Sequence, residues 1–232
     1  MKLAIMQPYF LPYIGYFQLI SAVDKFIVYD NIKYTKKGWV NRNRMLQNGK
    51  DVMFSLPLKS DSNYLDICKR ELSAEFNSDK LLSQFKGAYR RAPYYAQTLP
   101  LIEEIVRLDD VNLFGYLHHS IVKTCAHLGI TTDITNSSSI DIDNTLKSQD
   151  KVLALCKAVG AKSYINTIGG VELYSRDKFH TQGIELQFIK TQPFEYAQFG
   201  MPFMPWLSIG DVLMFNPLEI VYERIKSSYA LI

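Results

Sequence analysis

Hydrophobic and polar residues follow two kinds of pattern along this chain, one typical of strands and one typical of helices. Short apolar runs rich in β-branched and aromatic residues predict strands, and these fall over residues 2–7, 25–30, 51–58, 130–135, 162–167 and 184–190. Apolar residues at helical spacing predict helices, which start at Pro12, cover 78–92, 111–129, 148–160 and 172–183, and end with one that starts at Ser208. Strands and helices of this length in turn favour a parallel sheet covered by helices.

The order of these elements predicts an α/β fold of Rossmann-like type, with a mostly parallel sheet flanked by helices. We expect one domain over residues 1–232 with a predominantly helical insertion at about 78–129, whose two helices pack together. Ser148 is the predicted cap of its helix. Ser208 and Asp211 stand at capping-box spacing before the last one.

Composition and charge limit the classes of function. The 26 basic and 23 acidic residues leave a formal charge of only +3, so the overall field does not favour nucleic acid as a partner. Three widely spaced cysteines predict free thiols in a reducing compartment. No secretory leader and no apolar stretch of membrane-spanning length is predicted, so we expect a cytoplasmic protein.

The stretch "MQPYFLPYIGYFQLI" (residues 6–20) follows the first predicted strand, where ligands of α/β proteins bind. Tyr9, Tyr13 and Tyr16 offer ring faces and hydroxyl groups, and Gly15 allows a close approach to the helix. Gln7 and Tyr16 are candidates for orienting a substrate. The alternative for this stretch is core packing, which we expect for Phe10, Ile14 and Phe17.

The run "YIGY" (residues 13–16) is similar in position to the His-x-Gly-His element of nucleotidylyltransferases, which opens a helix and binds phosphates. Both histidines are replaced by tyrosine. A tyrosine can donate a hydrogen bond to phosphate but carries no positive charge near neutral pH. The similarity therefore supports a nucleotidylyltransferase-like geometry more than that mechanism.

The segment "DNIKYTKKGWVNRNRMLQNGK" (residues 30–50) has six basic residues and no acidic one after Asp30. Its arginines can bind phosphate oxygens in a forked geometry, and its aromatic rings can stack on a base or sugar. The candidate ligand-binding residues are Tyr34, Lys36, Lys37, Trp39, Asn41, Arg42, Asn43 and Arg44. Lys33 and Lys50 are the other two basic residues of the segment. The alternative is an exposed basic face.

Two later stretches are candidate walls of a site. In "NTIGGVELY" (residues 166–174), Asn166, Gly169 and Gly170 follow a predicted strand and allow a tight turn towards a ligand, although a plain strand-to-helix turn explains them equally well. The long aromatic connection 193–216 adds Tyr196, Trp206, Ser208, Asp211 and Asn216. Capping explains Ser208 and Asp211, and packing explains Trp206.

The four histidines are scattered, and the sequence contains no HExxH motif, GxSxG elbow, Walker A loop or GxGxxG fingerprint. We therefore predict no metal site.

The motifs resemble those of the WbqC-like protein family. "MQPYFLPYIGYFQLI", "DNIKYTKKGWVNRNRM", "YINTIGGVELY" and "FMPWLSIGDVLMFN" stand in the family's order over nearly the whole chain. The family consists of bacterial proteins encoded within clusters for O-antigen and other surface polysaccharides, and an aminoacyl (glycyl) transferase role on amino sugars has been proposed for it. The resemblance thus implies a transferase of O-antigen or lipopolysaccharide biosynthesis.

The leading hypothesis is transfer of an acyl or aminoacyl group to the amine of a nucleotide-linked amino sugar. Gln7 and Tyr16 would orient the sugar, the cations Lys37, Arg42 and Arg44 would bind phosphates, and Asp30 would be the general base. No cofactor is assigned beyond a nucleotide or an acyl or aminoacyl donor. A homo-oligomer remains open.

Two alternatives stay open at this point. One is a nucleotidylyl-type enzyme that activates a small acid with a nucleoside triphosphate. The other is a non-catalytic module that binds nucleic acid or an assembly partner, for which binding would depend steeply on salt.

Overall fold

Eight strands and eight helices make up the chain, which a computed structural model describes over residues 1–232. The strands are β1 Lys2–Met6, β2 Lys25–Val28, β3 Arg42–Gln47, β4 Lys50–Ser55, β5 Asp133–Asn136, β6 Ser163–Thr167, β7 Glu185–Thr191 and β8 Tyr229–Leu231. The helices are α1 Ile14–Ser21, α2 Ser78–Tyr89, α3 Tyr95–Val106, α4 Leu113–His127, α5 Ser148–Ala158, α6 Arg176–Thr181, α7 Ile209–Phe215 and α8 Leu218–Ser227.

Six of the strands form one sheet in the order β5-β2-β1-β6-β7-β8. The first five are parallel, and β8 pairs antiparallel with β7 at the edge. In order of appearance within this sheet the strands run 3-2-1-4-5-6, which is the order of Rossmann-like folds. The predicted α/β fold with a mostly parallel sheet is confirmed, and the strand order reverses direction between β1 and β6.

Helices bury both faces of the sheet, and successive side chains of a strand point to opposite faces. Leu3 and Ile5 of β1 belong to a smaller core that α5 and α6 cover, whereas Ala4 belongs to a larger core shared with α1, α7 and α8. None of the helices combines the length and hydropathy needed to cross a bilayer.

A long excursion between β2 and β5 carries a hairpin and three helices. Strands β3 and β4 pair only with each other, around a turn in which Asn48 and Gly49 have positive φ values of 53° and 73°. Asn-Gly is the preferred sequence for such a two-residue turn, because both positions need left-handed backbone. Helices α2 and α4 each pack on α3.

Several sequence predictions of local structure are wrong. We expected two packed helices in the excursion, but α3 lies between them and was not predicted, nor were α8 and β8. The helix predicted over 172–183 is the short α6 after a 3₁₀ segment at Ile168–Leu173. Ser148 does not cap α5, because Lys147 holds the capping position and its side chain makes no capping hydrogen bond.

The three cysteines are free. Burial raises the pKa of the Cys125 and Cys156 thiols to about 12, so both are inert at neutral pH. Cys68 is half-buried.

Candidate functional site

The sheet opens at its carboxyl end between β1 and β6. These strands pair only at Lys2 with Ser163 and at Leu3 with Tyr164, whereas β1 stays paired with β2 as far as Met6. Ligands of open α/β sheets bind where the strand order reverses, in the gap between diverging strands. A cavity of about 580 Å³ lies there, and we call it the crevice.

The floor of the crevice consists of strand ends. They are Met6 of β1, Thr167 of β6 with the following Ile168, and Ile189, Lys190 and Thr191 of β7. Sequence reasoning did not select these residues, although strands ending near 167 and 190 were predicted. The rule that carboxyl ends carry the site would have found Lys190.

The amino end of α1 forms one side of the crevice through Pro12, Tyr13, Gly15 and Tyr16. Tyr13 holds the capping position, but its side chain accepts no N–H of the helix. The first N–H groups of a helix lack acceptors within it, and together with the helix dipole they favour an anion. Gly15 at this end of the helix has no room for a side chain, because a Cβ atom there would lie 2.7 Å from Oγ1 of Thr191.

Aromatic rings line the side walls. The Tyr9 and Tyr16 centroids are 5.7 Å apart, and the Tyr13 ring lies 5.1 Å from that of Trp206. The Tyr16 hydroxyl donates to the Gln7 carbonyl at 3.0 Å, so Gln7 contributes its backbone, and its side chain does not line the crevice. Burial raises the pKa of Tyr13 to about 12 and that of Tyr16 well above 10, so neither is a base at neutral pH.

Asn43 shapes the turn that carries these tyrosines. Its amide nitrogen donates to the carbonyls of Phe10 at 3.2 Å and Leu11 at 2.8 Å. Leu11 has a φ of 43°, a conformation that a residue with a branched side chain rarely adopts. The hydrogen bonds from Asn43 therefore stabilise a strained turn at the crevice wall.

Arg44 is the cation that the basic segment contributes to the crevice. Its guanidinium donates to Asp51 Oδ2 at 2.9 Å and to the Trp206 carbonyl at 3.0 Å, and it lies 5.6 Å from the Trp39 ring centroid. Its Nε atom is buried without a partner. Lys190 is the second cation, is exposed and makes no ion pair.

The other basic residues of this segment do not line the crevice. Arg42 donates to the carbonyls of Gly38 at 3.0 Å and Lys37 at 2.6 Å, so it closes its own turn beside Trp39. Three lysines, Lys33, Lys36 and Lys37, are exposed, as is Lys50 on β4.

Tyr34 and Asn41 are held within the excursion. The Tyr34 hydroxyl donates to Asn41 Oδ1 at 2.8 Å, and the Asn41 amide donates to the Leu56 carbonyl at 2.7 Å. The Arg70 guanidinium lies 4.8 Å from the Tyr34 ring centroid. Neither side chain lines the crevice.

Asp30 follows β2 and is buried beside β5. Its Oδ1 accepts from the Ser137 hydroxyl at 2.8 Å and from the Ser138 N–H at 2.9 Å. With 1% of its surface exposed and no position among the crevice residues, Asp30 joins the ends of two strands.

Asn166 also acts within the fold. Its amide donates to the Tyr164 hydroxyl at 2.8 Å, and its Oδ1 accepts the N–H of Thr167. A Cβ on Gly170 would lie 3.1 Å from that oxygen, whereas one on Gly169 would meet nothing within 4 Å. Gly170 therefore leaves room for Asn166 under the turn that begins at the crevice floor.

A second cavity of about 270 Å³, which we call the side pocket, adjoins the crevice and shares Tyr13, Thr191 and Trp206 with it. Its other walls are mainly apolar and come from α1, α7 and the connection between β7 and α7. Trp206 stands between the two cavities with a φ of 62° and 59% of its surface exposed.

Asp211 holds the connection between β7 and α7 in place. Its carboxylate accepts from the Tyr89 and Tyr196 hydroxyls, both at 2.7 Å, and from the Gln198 amide at 2.9 Å. Tyr89 accepts in turn from the N–H of Leu46 on β3 at 2.9 Å. One buried carboxylate thus joins the hairpin, α2, α7 and the connection.

The predicted capping box at the start of α7 is wrong. Ser208 makes no side-chain cap, and its hydroxyl is buried without a partner. Asp211 is committed to the two tyrosines and Gln198, which lie far from it in the sequence or in an irregular loop, so spacing alone could not reveal its role. Asn216 donates to the Val212 carbonyl at 2.8 Å, at the end of α7.

The fold and the crevice together define an α/β protein of Rossmann-like topology with a ligand-sized cleft at the reversal point of its sheet. The chain belongs to the WbqC-like protein family, whose model matches residues 7–223, and this confirms the resemblance seen in the motifs. It is 25% identical over 220 residues to uncharacterized protein Rv1507c of Mycobacterium tuberculosis, with 93% of each chain covered. No solved structure gives a significant match.

Proposed function

We propose that the protein is a transferase of bacterial surface-polysaccharide biosynthesis, which binds a nucleotide-linked amino sugar in the crevice and acylates its amine. The observation that carries the proposal is the lining of the crevice: two cations, Arg44 and Lys190, and five aromatic side chains, with no carboxylate. A nucleotide sugar offers the matching chemistry, with a diphosphate and ring faces.

The diphosphate fits beside the amino end of α1, between Arg44 and Lys190. The helix supplies unpaired N–H groups, and the two cations supply charge from the hairpin and from β7. Asp51 holds the guanidinium of Arg44 in place, so little side-chain entropy is lost when an anion binds. Trp39 and Trp206 at the exposed rim offer ring faces to a base or sugar.

In the transfer step the amine nitrogen attacks the carbonyl carbon of an activated acyl or aminoacyl donor. The new C–N bond forms an amide, the bond to the donor's leaving group breaks, and the amine gives up a proton. Because no histidine or carboxylate lines the crevice, we assign the protein the task of orienting the two substrates and assign the proton to solvent. Asp30, buried against Ser137, has no part in this step.

Calorimetric titration with a uridine diphosphate-linked amino sugar tests the proposal. Arg44→Ala should weaken binding by about 10-fold or more, since a charge-assisted hydrogen bond contributes roughly 1.5–3 kcal/mol. Lys36→Ala is the matched control, because it removes an equal charge from the same segment outside the crevice, and it should change binding less than about twofold. Absence of binding, or equal affinity in the two variants, would refute the proposal.

A second candidate function is activation of a small acid by a nucleoside triphosphate in the same crevice. The "YIGY" run favours it because it opens α1 and three of its residues, Tyr13, Gly15 and Tyr16, line the crevice, as the similarity to nucleotidylyltransferases predicts. Release of pyrophosphate from ATP or CTP with an acid present would support this reading and exclude simple acyl transfer.

A further inference from the structure

We infer that the side pocket binds a compact apolar acyl group, so that the donor of the proposed reaction carries a branched or aromatic acyl group in place of acetyl or glycyl. This inference rests on the proposed function and names the substrate class of its second half. The two cavities meet at Tyr13, Thr191 and Trp206, so a ligand that spans them has one part in each.

The lining separates the two cavities by chemistry. The side pocket contains eight hydrophobic residues, no cation and one carboxylate, Glu195, whereas the crevice contains two cations and no carboxylate. An anionic diphosphate is therefore favoured in the crevice and disfavoured in the side pocket. The side pocket is suited to an uncharged apolar group.

Volume limits the size of that group. A dry cavity of about 150 Å³ lined by apolar side chains binds benzene. The side pocket, at about 270 Å³, has room for a branched chain or a single ring, and a glycyl or acetyl group would leave most of it unfilled. An unfilled apolar cavity in contact with solvent gives no hydrophobic gain, so binding should increase with each carbon added until the space is full.

The walls of the pocket are held in place before any ligand binds. Tyr196 is fixed by its hydrogen bond to Asp211, and its ring packs edge-on against Phe203 at 5.1 Å. Leu207 and Val212 are buried. A preformed pocket selects by shape, and we therefore expect a sharp upper limit on acyl size.

The two tryptophans of the chain permit a test that reads the cavities separately. Both line the crevice, but only Trp206 lines the side pocket. In Trp39→Phe protein the fluorescence of Trp206 responds to a ligand in either cavity, and in Trp206→Phe protein the fluorescence of Trp39 responds to a ligand in the crevice. A ligand that changes the first signal and leaves the second unchanged is therefore in the side pocket. Neutral amides serve as probes: acetamide, propanamide, 3-methylbutanamide and phenylacetamide.

We expect 3-methylbutanamide to bind Trp39→Phe protein at least about tenfold more tightly than acetamide, because it adds three buried carbons. Adding Phe203→Trp, which places a larger ring in the side pocket, should abolish the preference. Calorimetry measures binding to that variant, because the added tryptophan would contribute to the fluorescence, and circular dichroism checks that the variant folds. Equal affinity for all four amides, or a preference unchanged by Phe203→Trp in folded protein, overturns the inference.

The nucleotide sugar gives the second readout. Its binding to Trp206→Phe protein, weakened about 10-fold or more on adding Arg44→Ala, tests the proposed function alone. Nucleotide-sugar binding without an amide preference overturns the acyl pocket and leaves the proposed function intact. An amide preference without nucleotide-sugar binding refutes the proposed function and supports the apolar pocket.

Discussion

Substitution of Asp211 by alanine should destabilise the fold and loosen both cavities. The change removes an acceptor of three donors: the hydroxyl of buried Tyr89, the hydroxyl of part-buried Tyr196 and the amide of buried Gln198. The Gln198 amide keeps a second acceptor, the Met204 carbonyl at 3.2 Å. A buried donor left without a partner costs roughly 1–3 kcal/mol, and water can reach part-buried Tyr196 and offset some of this. We expect a net loss of about 3 kcal/mol, which is a large share of the stability of a typical domain.

Urea denaturation followed by circular dichroism measures this loss as the free energy of unfolding. Asp141→Ala is the control, since Asp141 is exposed and should change stability by less than about 0.5 kcal/mol. The affinity for a nucleotide sugar should fall with stability, because Asp211 positions the connection that carries Trp206. A urea midpoint for Asp211→Ala within error of that of the control would refute the conclusion that Asp211 joins the hairpin, α2, α7 and the connection.

The effect of Asp211→Ala on stability should depend on pH. Burial raises the pKa of Asp211, since its loss of hydration outweighs the hydrogen bonds from Tyr196, Tyr89 and Gln198. A group whose pKa is raised on folding contributes stability below its unfolded pKa and loses that contribution as pH rises through the folded value. The stability difference between wild type and Asp211→Ala should therefore be larger near pH 4 than at neutral pH. A difference that grows as pH rises would contradict this sign.

Three further changes test the crevice. Arg42→Ala should weaken nucleotide-sugar binding much less than Arg44→Ala in calorimetry, because Arg42 binds carbonyls of its own turn. Gly15→Ala should destabilise by about 1–3 kcal/mol in urea, since the new Cβ meets Thr191 Oγ1 at 2.7 Å, and adding Thr191→Ala should recover part of the loss. Asn43→Ala should cost about 2 kcal/mol by releasing the turn at Leu11, and full stability in that variant would show that the turn holds itself.

The parallel strands of the main sheet were predictable because their patterns are simple. "KLAIMQ" and "KFIVYD" are continuous apolar runs, as strands buried on both faces should be, and they correspond to β1 and β2. Their carboxyl ends follow from the parallel topology, so the general position of the crevice was within reach of the sequence.

Strand β3 was missed because both of its faces carry polar groups. Residues 41–44 read Asn-Arg-Asn-Arg, in which Asn43 points to buried carbonyls while Arg42 and Arg44 lie beside Trp39. A pattern of this kind lacks the apolar alternation that identifies a half-buried strand. The partners that stabilise it, Phe10 and Leu11, are remote in the chain.

Long-range contacts also decide which arginine reaches the crevice. The Arg44 carbonyl accepts the Ser208 N–H at 3.0 Å, and the Pro12 carbonyl accepts the Ile209 N–H at 2.9 Å. The hairpin, the amino-terminal turn and the start of α7 therefore meet along one line of backbone hydrogen bonds. No spacing within the basic segment encodes that meeting, so sequence reasoning could name a phosphate-binding cluster but could not separate Arg44 from Arg42.

Substitution of a residue that supports the crevice walls should lower the affinity for a ligand. These walls come from chain segments that are far apart in sequence, and each is fixed to the next by one or two hydrogen bonds: Asn43 to Leu11, Arg44 to Trp206, and Asp211 to Tyr196. Loss of the Asp211 link lets a wall move without removing a residue that lines the crevice, whereas Asn43 and Arg44 line the crevice themselves. Ligand affinity should therefore be as sensitive to Asn43 and Asp211, which serve as supports, as to Arg44, which is placed to touch the phosphate.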